Sequence, residues 1–248
     1  MRYLLANASR RVVARLAAEK TLCAFDFDGT LAPIVTQPAR ARMRAQTRRL
    51  LARLATLYPC VVISGRGLDD LSGRLAGVEL ARAIGNHGAE VEGRAPKARP
   101  EVRQWLAALE NALGCVDGVW VEDKGYSVAV HYRRAVHKTE ARRAILAAAQ
   151  PLQQVRIFGG KQVVNLVPAG GPHKGDALAA ERGRLGCDWI LYVGDDDTDE
   201  DAFALDGDIV GVRIGRKAGS RAGYYLRDQR EIDKLIEAMI LLRRGSVR

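Results

Sequence analysis

The stretch CAFDFDGTLAP, residues 23–33, runs apolar residues straight into two aspartates, Asp26 and Asp28, and then turns on Gly29 and Thr30. Two more short apolar runs end in the same way. Cys60 to Ile63 leads into Ser64, and Trp189 to Val193 leads through Gly194 into Asp195. Each run is too short and too uniformly apolar for an amphipathic helix, and each is bounded by turn residues. Strands buried on both faces of a parallel sheet read this way. Helical patterns around residues 44–57, 67–76 and 174–186 lie between and after them, a further strand covers Ile209 to Ile214, and a last helix covers about 231–243. Alternating strands and helices predict an α/β fold with a parallel core sheet.

The middle of the chain breaks the alternation. Pro100 opens a helix with Val102, Trp105, Leu106, Leu109 and Leu113 on one side. The stretches VWVED and YSVAVHYR then read as a hairpin turning on Asp123, Lys124 and Gly125. A helix over 138–149 and a strand over 162–167 follow. Prolines and glycines at 96, 100, 168 and 170–172 flank this α+β region. The expected organisation is therefore a discontinuous core, residues 1–96 and 172–248, carrying an insert at 97–171.

The 248-residue chain is 48% apolar, enough for a sizeable core, and no apolar run approaches the length of about 18–20 residues that a membrane span requires. Residues 1–20 have neither the apolar stretch nor the cleavage site of a secretory signal, and read as an amphipathic first helix. Cys23, Cys60, Cys115 and Cys187 form no CxxC and are expected to be reduced core residues, which fits a cytoplasmic home. His87, His131, His137 and His173 show no zinc spacing. The net charge is +10, with six arginines and no acid between Arg40 and Tyr58. These arginines read as the solvated face of a helix whose apolar side is Leu50, Leu51, Leu54 and Leu57. Interleaved aromatics, a zinc finger or an RRM signature would mark nucleic acid as the partner, and none is present. Neither nucleic acid nor membrane is an expected partner, and a monomer is the expected state.

In open α/β sheets, ligands bind at the carboxyl ends of the strands. Asp26, Ser64 and Asp195 end three runs, and as neighbours in one sheet they converge. If the chain stays extended after Asp26, Asp28 points to the same side. Two such carboxylates repel and need a cation or a shared proton. A division of labour follows in which one attacks and the other donates a proton. The DxD pair alone also suits a capped loop; after an apolar run and before Gly-Thr-Leu it reads as a site. The second acidic cluster, GDDDTDEDAF at 194–203, places six carboxylates between Asp195 and Asp201. Mg²⁺ would relieve their repulsion, since it takes oxygen ligands. Some of the six, such as Glu200, also suit a helix N-terminus. A phosphate group would further need positive and hydrogen-bonding partners. Ser64 with Gly65 and Arg66 offers a hydroxyl and backbone N–H groups. Lys174, in GGPHKGDAL, begins a helix whose positive end adds to its charge.

Read together, DFDGTL, a Ser after a strand, a Lys and GDDxxD resemble, in this order, the haloacid dehalogenase superfamily of phosphatases. The finer match is to trehalose-6-phosphate phosphatases: SGR at 64–66, GNHGAE at 85–90, VEDKGYSVAVHYR at 121–133, HKGDAL at 173–178 and GDDDTDEDAF all look like that family's blocks. The resemblance implies a Rossmann-like core with an α/β cap inserted where the middle region lies. It implies hydrolysis of a phosphorylated disaccharide through an aspartyl phosphate. Asp26 would be the nucleophile, and Asp28 the acid and then the base. Mg²⁺ would be held by Asp26, the Asp28 backbone carbonyl and Asp195, with Asp196 and Asp199 in support. Ser64 and Lys174 would hold the phosphoryl group, beside Gly29, Thr30 and Gly65. Glu122 and Lys124 match positions that bind sugar hydroxyls, and Arg66, His87, His131 and Arg133 are further candidates for substrate contact. One departure stands out. Where the family usually shows a glutamate and a basic residue before the proline loop, this chain has Asn165 and Val167. That leaves the chemistry intact and opens the alternative of another disaccharide or sugar phosphate. A phosphomutase would share the two aspartates.

Overall fold

The structure is a computed structural model and describes residues 1–91, 99–160 and 162–246. In chain order it begins with β1 (Arg2–Tyr3), α1 (Arg10–Ala18), β2 (Thr21–Phe25), α2 (Ala45–Ala55), β3 (Cys60–Ile63), α3 (Leu68–Leu75), β4 (Arg82–Gly85) and β5 (Glu90–Val91). The middle comprises α4 (Pro100–Leu113), β6 (Trp120–Asp123), β7 (Val128–His131), α5 (Lys138–Ala149), β8 (Val155–Gly160) and β9 (Val163–Pro168). The chain closes with α6 (Lys174–Leu185), β10 (Trp189–Gly194), α7 (Glu200–Phe203), β11 (Ile209–Ile214), β12 (Tyr224–Leu226) and α8 (Glu231–Ser246).

Two compact units result. One comprises Met1–Glu92 with His173–Arg248, and the other Gly93–Pro172. The expected boundary at 96/97 falls on residues outside those described.

The first unit is built on an eight-stranded sheet of order β1-β12-β11-β10-β2-β3-β4-β5, parallel except where β5 pairs with β4. Every residue of β2 and β3 is buried because helices cover both faces, which is why these strands read as continuous apolar runs. Alternate residues divide between the faces. Cys23, Phe25, Val62, Leu191 and Val193 pack under α1, α2, α3 and α8, through Leu16, Leu51, Leu71 and Leu235 among others. Leu22, Ala24, Ile63, Ile190 and Tyr192 face the other way and pack with Leu178 of α6 and Phe203 of α7. The apolar side of α2 is the expected one, with Leu50, Leu51 and Leu54 buried. Three of the six arginines have structural partners: Arg44 pairs with Asp233, Arg48 donates to the carbonyls of Arg74 and Ala76, and Arg49 to Gln46.

The second unit is a four-stranded antiparallel sheet of order β6-β7-β9-β8. Val128, Val130, Val164 and Leu166 pack on one face with Val102, Trp105 and Leu109 of α4 and Ile145 of α5. The β6–β7 turn is held by the Gly125 N–H donating to Asp123 Oδ1 at 2.7 Å, with Gly125 at φ +74°.

The cysteine expectation needs one correction. Cys23, Cys60 and Cys187 are buried, but Cys115 is exposed, because it falls in the polar turn just past the end of α4. Among the described residues, no helix is long and apolar enough to cross a membrane.

Candidate active site at the carboxyl edge of the core sheet

β2 lies between β10 and β3, with Phe25 in register with Val193 on one side and Val62 on the other. Successive parallel strands are added on one side of β2 as far as β4 and later ones on its other side from β10, so the crevice at the strand ends is a topological switch point. Asp26 follows β2, Ser64 follows β3 and Asp195 follows β10, and the convergence read from the three runs is present in the first unit. The Asp26 N–H donates to the carbonyl of Val193 at 2.9 Å, which ties the first acidic loop to the second.

Lys174 is the hub. It is the first residue of α6 and is only 2% exposed. Its ammonium donates to Asp26 Oδ1 and to Asp199 Oδ1, each at 2.7 Å. Burial alone would push its pKa down; the carboxylates of Asp199 and Asp26 outweigh that and raise it well above the ordinary value, so Lys174 is charged. Burial pushes Asp26 well up, opposed by Lys174 and reinforced by Asp199 and Asp195. Asp199 moves down despite its burial, because Lys174, the backbone and Tyr192 all donate to it.

Asp199 is saturated with donors. Oδ1 accepts from Lys174 and from the Tyr192 hydroxyl at 2.7 Å, and Oδ2 accepts from the backbone N–H groups of Asp195 and Asp196 at 2.8 and 2.9 Å. A carboxylate offers about four lone-pair sites, so this one is fully used in shaping the loop. Tyr192 was not singled out from sequence. The available signal was a phenol inside an otherwise apolar buried strand, which requires a hydrogen-bond partner.

Asp26, Asp195 and Asp199 each offer an oxygen within 4.8 Å of the others, and all three are buried. Carboxylate oxygens are the hard donors that suit a small divalent cation, and Asp26 and Asp195 offer them here, Asp199 being committed to its four donors. Gly29 makes the approach possible. It sits at φ +90°, and a Cβ there would lie 2.1 Å from Asp195 Oδ2.

The extended chain after Asp26, on which Asp28 would share its side by period alone, is not present. The chain leaves the strand after Phe25, and a tight turn, with the Thr30 N–H donating to Phe27 and the Gly29 N–H to Ala32, breaks the period of two. Asp28 instead meets Arg66, whose Nε and Nη2 donate to its two oxygens at 2.6 and 2.7 Å. Thr30 is fully buried beneath this turn.

Ser64 is buried at the end of β3, and its hydroxyl accepts from the Arg66 N–H at 3.2 Å. The GNHGAE turn packs against this corner. The ring of His87 covers Gly65 so closely that a Cβ on Gly65 would lie 2.4 Å from it. His87 is itself left-handed, at φ 58°, a conformation seldom adopted without compensation. Asn86 donates to Glu90 Oε1 and the Leu68 N–H to Glu90 Oε2, so Glu90 holds the turn to the start of α3.

The remaining acids divide. Asp196 caps the turn after β10 by accepting from the Asp197 N–H at 2.7 Å and lies outside the three-carboxylate cluster. Asp197 pairs with Lys217, and Glu200 with Arg213 at 2.8 Å.

Glu122, Lys124, Arg133 and Asn165 belong to the second unit. The strand register places Trp120, Glu122, His131, Asn165, Phe158 and Arg156 on the sheet face turned away from α4 and α5. Glu122 Oε2 lies 2.6 Å from His131 Nε2, and Trp120 stacks on His131 with ring centroids 4.5 Å apart. Lys124 lies in the hairpin turn, where its N–H donates to the Ser127 carbonyl, and Arg133 just follows β7.

A parallel α/β core with an acid-ended central strand, a buried lysine and a separate antiparallel sheet defines a class of α/β proteins. Comparison with known proteins narrows it. The trehalose-phosphatase family model matches residues 24–207. A trehalose-phosphate phosphatase of Mycobacterium avium is 37% identical over 217 residues, covering 80% of this chain and 55% of the relative. One of Mycobacterium tuberculosis is 34% identical over 222 residues, covering 79% and 53%. The chain thus spans about half the length of the curated relatives it matches. Among solved structures, the C-terminal domain of the Candida albicans trehalose-6-phosphate phosphatase superposes with a TM-score of 0.81 at 20% identity, covering 93% of this chain and 96% of that one. The sucrose-phosphatase of Synechocystis, solved with sucrose and phosphate, gives 0.59 at 15% identity, covering 90% and 98%. The chain belongs to the trehalose-phosphatase family.

Proposed function

We propose that the protein is an Mg²⁺-dependent phosphatase that hydrolyses trehalose 6-phosphate to trehalose and phosphate. The observation that carries this reading is Lys174, buried and charged between Asp26 and Asp199 at the switch point of the sheet. An ammonium in that place opposes the burial that pushes the nucleophile's carboxyl up and faces the charge of a transferring phosphoryl group.

In the first half-reaction a carboxylate oxygen of Asp26 attacks phosphorus, the bond from phosphorus to the sugar oxygen breaks, and Asp28 gives its proton to that oxygen. In the second, Asp28 takes a proton from water, the water oxygen attacks phosphorus, and the bond to Asp26 breaks to release phosphate. Ser64, Lys174 and the backbone at Gly29 and Gly65 orient the phosphoryl oxygens. Asp26, the Asp28 carbonyl and Asp195 would hold Mg²⁺, with Asp196 and Asp199 shaping the loop behind them. When bound, the metal supplies charge for the phosphoryl oxygens. Glu122, Lys124, Arg133 and Asn165 are assigned to the sugar, and His87 to the rim of the phosphate pocket.

A second reading, the same chemistry on another disaccharide phosphate, is favoured by Asn165 and Val167, which replace a carboxylate and a cation on the face assigned to the sugar. Phosphate release from a panel of sugar phosphates, with Mg²⁺ or with EDTA, separates the two. Trehalose 6-phosphate is expected to be preferred and EDTA to stop turnover. A preference of about tenfold in kcat/KM, or 1.4 kcal/mol, for another sugar would overturn the substrate and keep the class.

A further inference from the structure

We infer that Arg66 is a positioning residue for Asp28, setting the carboxyl group in place for proton transfer to the leaving sugar, rather than a contact for the substrate; this rests on Asp28 as the proton donor. Arg66 grips both oxygens of Asp28, through Nε at 2.6 Å and Nη2 at 2.7 Å. A planar fork on a carboxylate fixes its plane as well as its place. The same guanidinium donates through Nη1 to Asp70 Oδ2 at 2.6 Å and through Nη2 to the Pro38 carbonyl at 2.8 Å. Four donations to the protein leave about one of its five N–H bonds for anything else. The side chain is only 11% exposed, and its guanidinium lies 5.6 Å from the Phe27 ring centroid, so the turn carrying Asp28 is touched on two sides.

Arg66 is itself fixed. Asp70, one turn along α3, is also held by Arg74 at 2.8 Å, and Arg74 reaches the carbonyls of Ala39 and Ala41. At the backbone, the Arg66 carbonyl accepts from Asn86 at 2.7 Å. Among the described residues, Asp28 has no such frame of its own. It sits on a turn outside β2, with one isolated bridge to Ala32. The orientation of its carboxyl therefore depends on the chain of groups Arg66, Asp70 and Arg74. Proton transfer is sensitive to such placement, since an error of about 1 Å costs on the order of 10²-fold in rate.

The test compares two leaving groups. Trehalose 6-phosphate needs its departing oxygen protonated; p-nitrophenyl phosphate does not. Arg66→Ala is expected to lower kcat/KM, which reports the first half-reaction, by about 10²-fold on the sugar phosphate and about tenfold less on the aryl phosphate, while kcat, which includes the attack of water common to both, falls on both. Arg66→Lys should fall between, because an ammonium cannot grip both oxygens. Asp70→Asn, which leaves Asp28 and Arg66 in place, should give the same pattern more weakly. Asp28→Asn with Arg66→Ala should be no slower on the sugar phosphate than Asp28→Asn alone. Equal losses of kcat/KM on both substrates, a rise in KM with kcat kept, or additive losses in the double variant would overturn the assignment. If the wild-type protein prefers another sugar phosphate, that sugar takes its place in the comparison, so failure of the trehalose reading shows in the wild type and failure of this one shows in the ratio.

Discussion

Lys174 in the first unit is 2% exposed and bonded to two buried carboxylates, while Glu122 in the second keeps a side chain 45% exposed and pairs with His131. In the first unit, charges are taken out of water, and each needs the others to remain there. In the second, polar groups stand on a sheet face, with Glu122 exposed and Asn165 buried. Covalent chemistry asks for the first arrangement, where a few charges in a dry crevice act strongly and hold still. Choice of sugar asks for the second, where hydrogen-bonding groups can be exchanged one at a time. In the function proposed above, the core sets the reaction and the antiparallel sheet sets its substrate.

Substitutions that break this division have effects of different sizes. Lys174→Met removes the ammonium that pairs with both Asp26 and Asp199 and leaves two buried carboxylates facing each other. It is expected to destabilise the protein by about 3–5 kcal/mol, measured by urea unfolding in EDTA, and to abolish phosphate release on every substrate. A variant as stable as the wild type would mean that the lysine does not neutralise this cluster. Asn165→Glu tests the other half. Asn165 sits between Ala129 and Phe158 in register. A carboxylate there is expected to change the ratio of kcat/KM between trehalose 6-phosphate and other sugar phosphates by roughly tenfold, the worth of about one hydrogen bond. An equal change across all substrates would erase the distinction between the two units.

The core was legible because its strands are buried on both faces, and the residues that end them are of the wrong type for a core. Asp26, Ser64 and Asp195 stood out against Phe25, Ile63 and Val193 for that reason. Strands without that contrast were missed. β4 and β8 carry arginine and glycine among their apolar residues, and β12 has only three residues. Partnerships were less legible than positions. The pairing of Arg66 with Asp28 spans 38 residues and depends on the turn at Gly29 breaking the period of the strand. The donors around Asp199 include Tyr192, whose sequence signal is a single phenol among aliphatic neighbours. On the antiparallel sheet, pairing register rather than spacing brings Glu122 and His131 together, and no short motif encodes register across a hairpin.

The most direct test of the account is to follow the phosphoryl group itself. The protein is mixed with trehalose 6-phosphate labelled at phosphorus, quenched in acid within a single turnover and digested. The label is expected on the peptide that contains CAFDFDGTLAP, at Asp26, and to be absent from Asp26→Asn. Phosphate released without any labelled acyl phosphate, or a label on another residue, would contradict the assignment of Asp26 as the nucleophile.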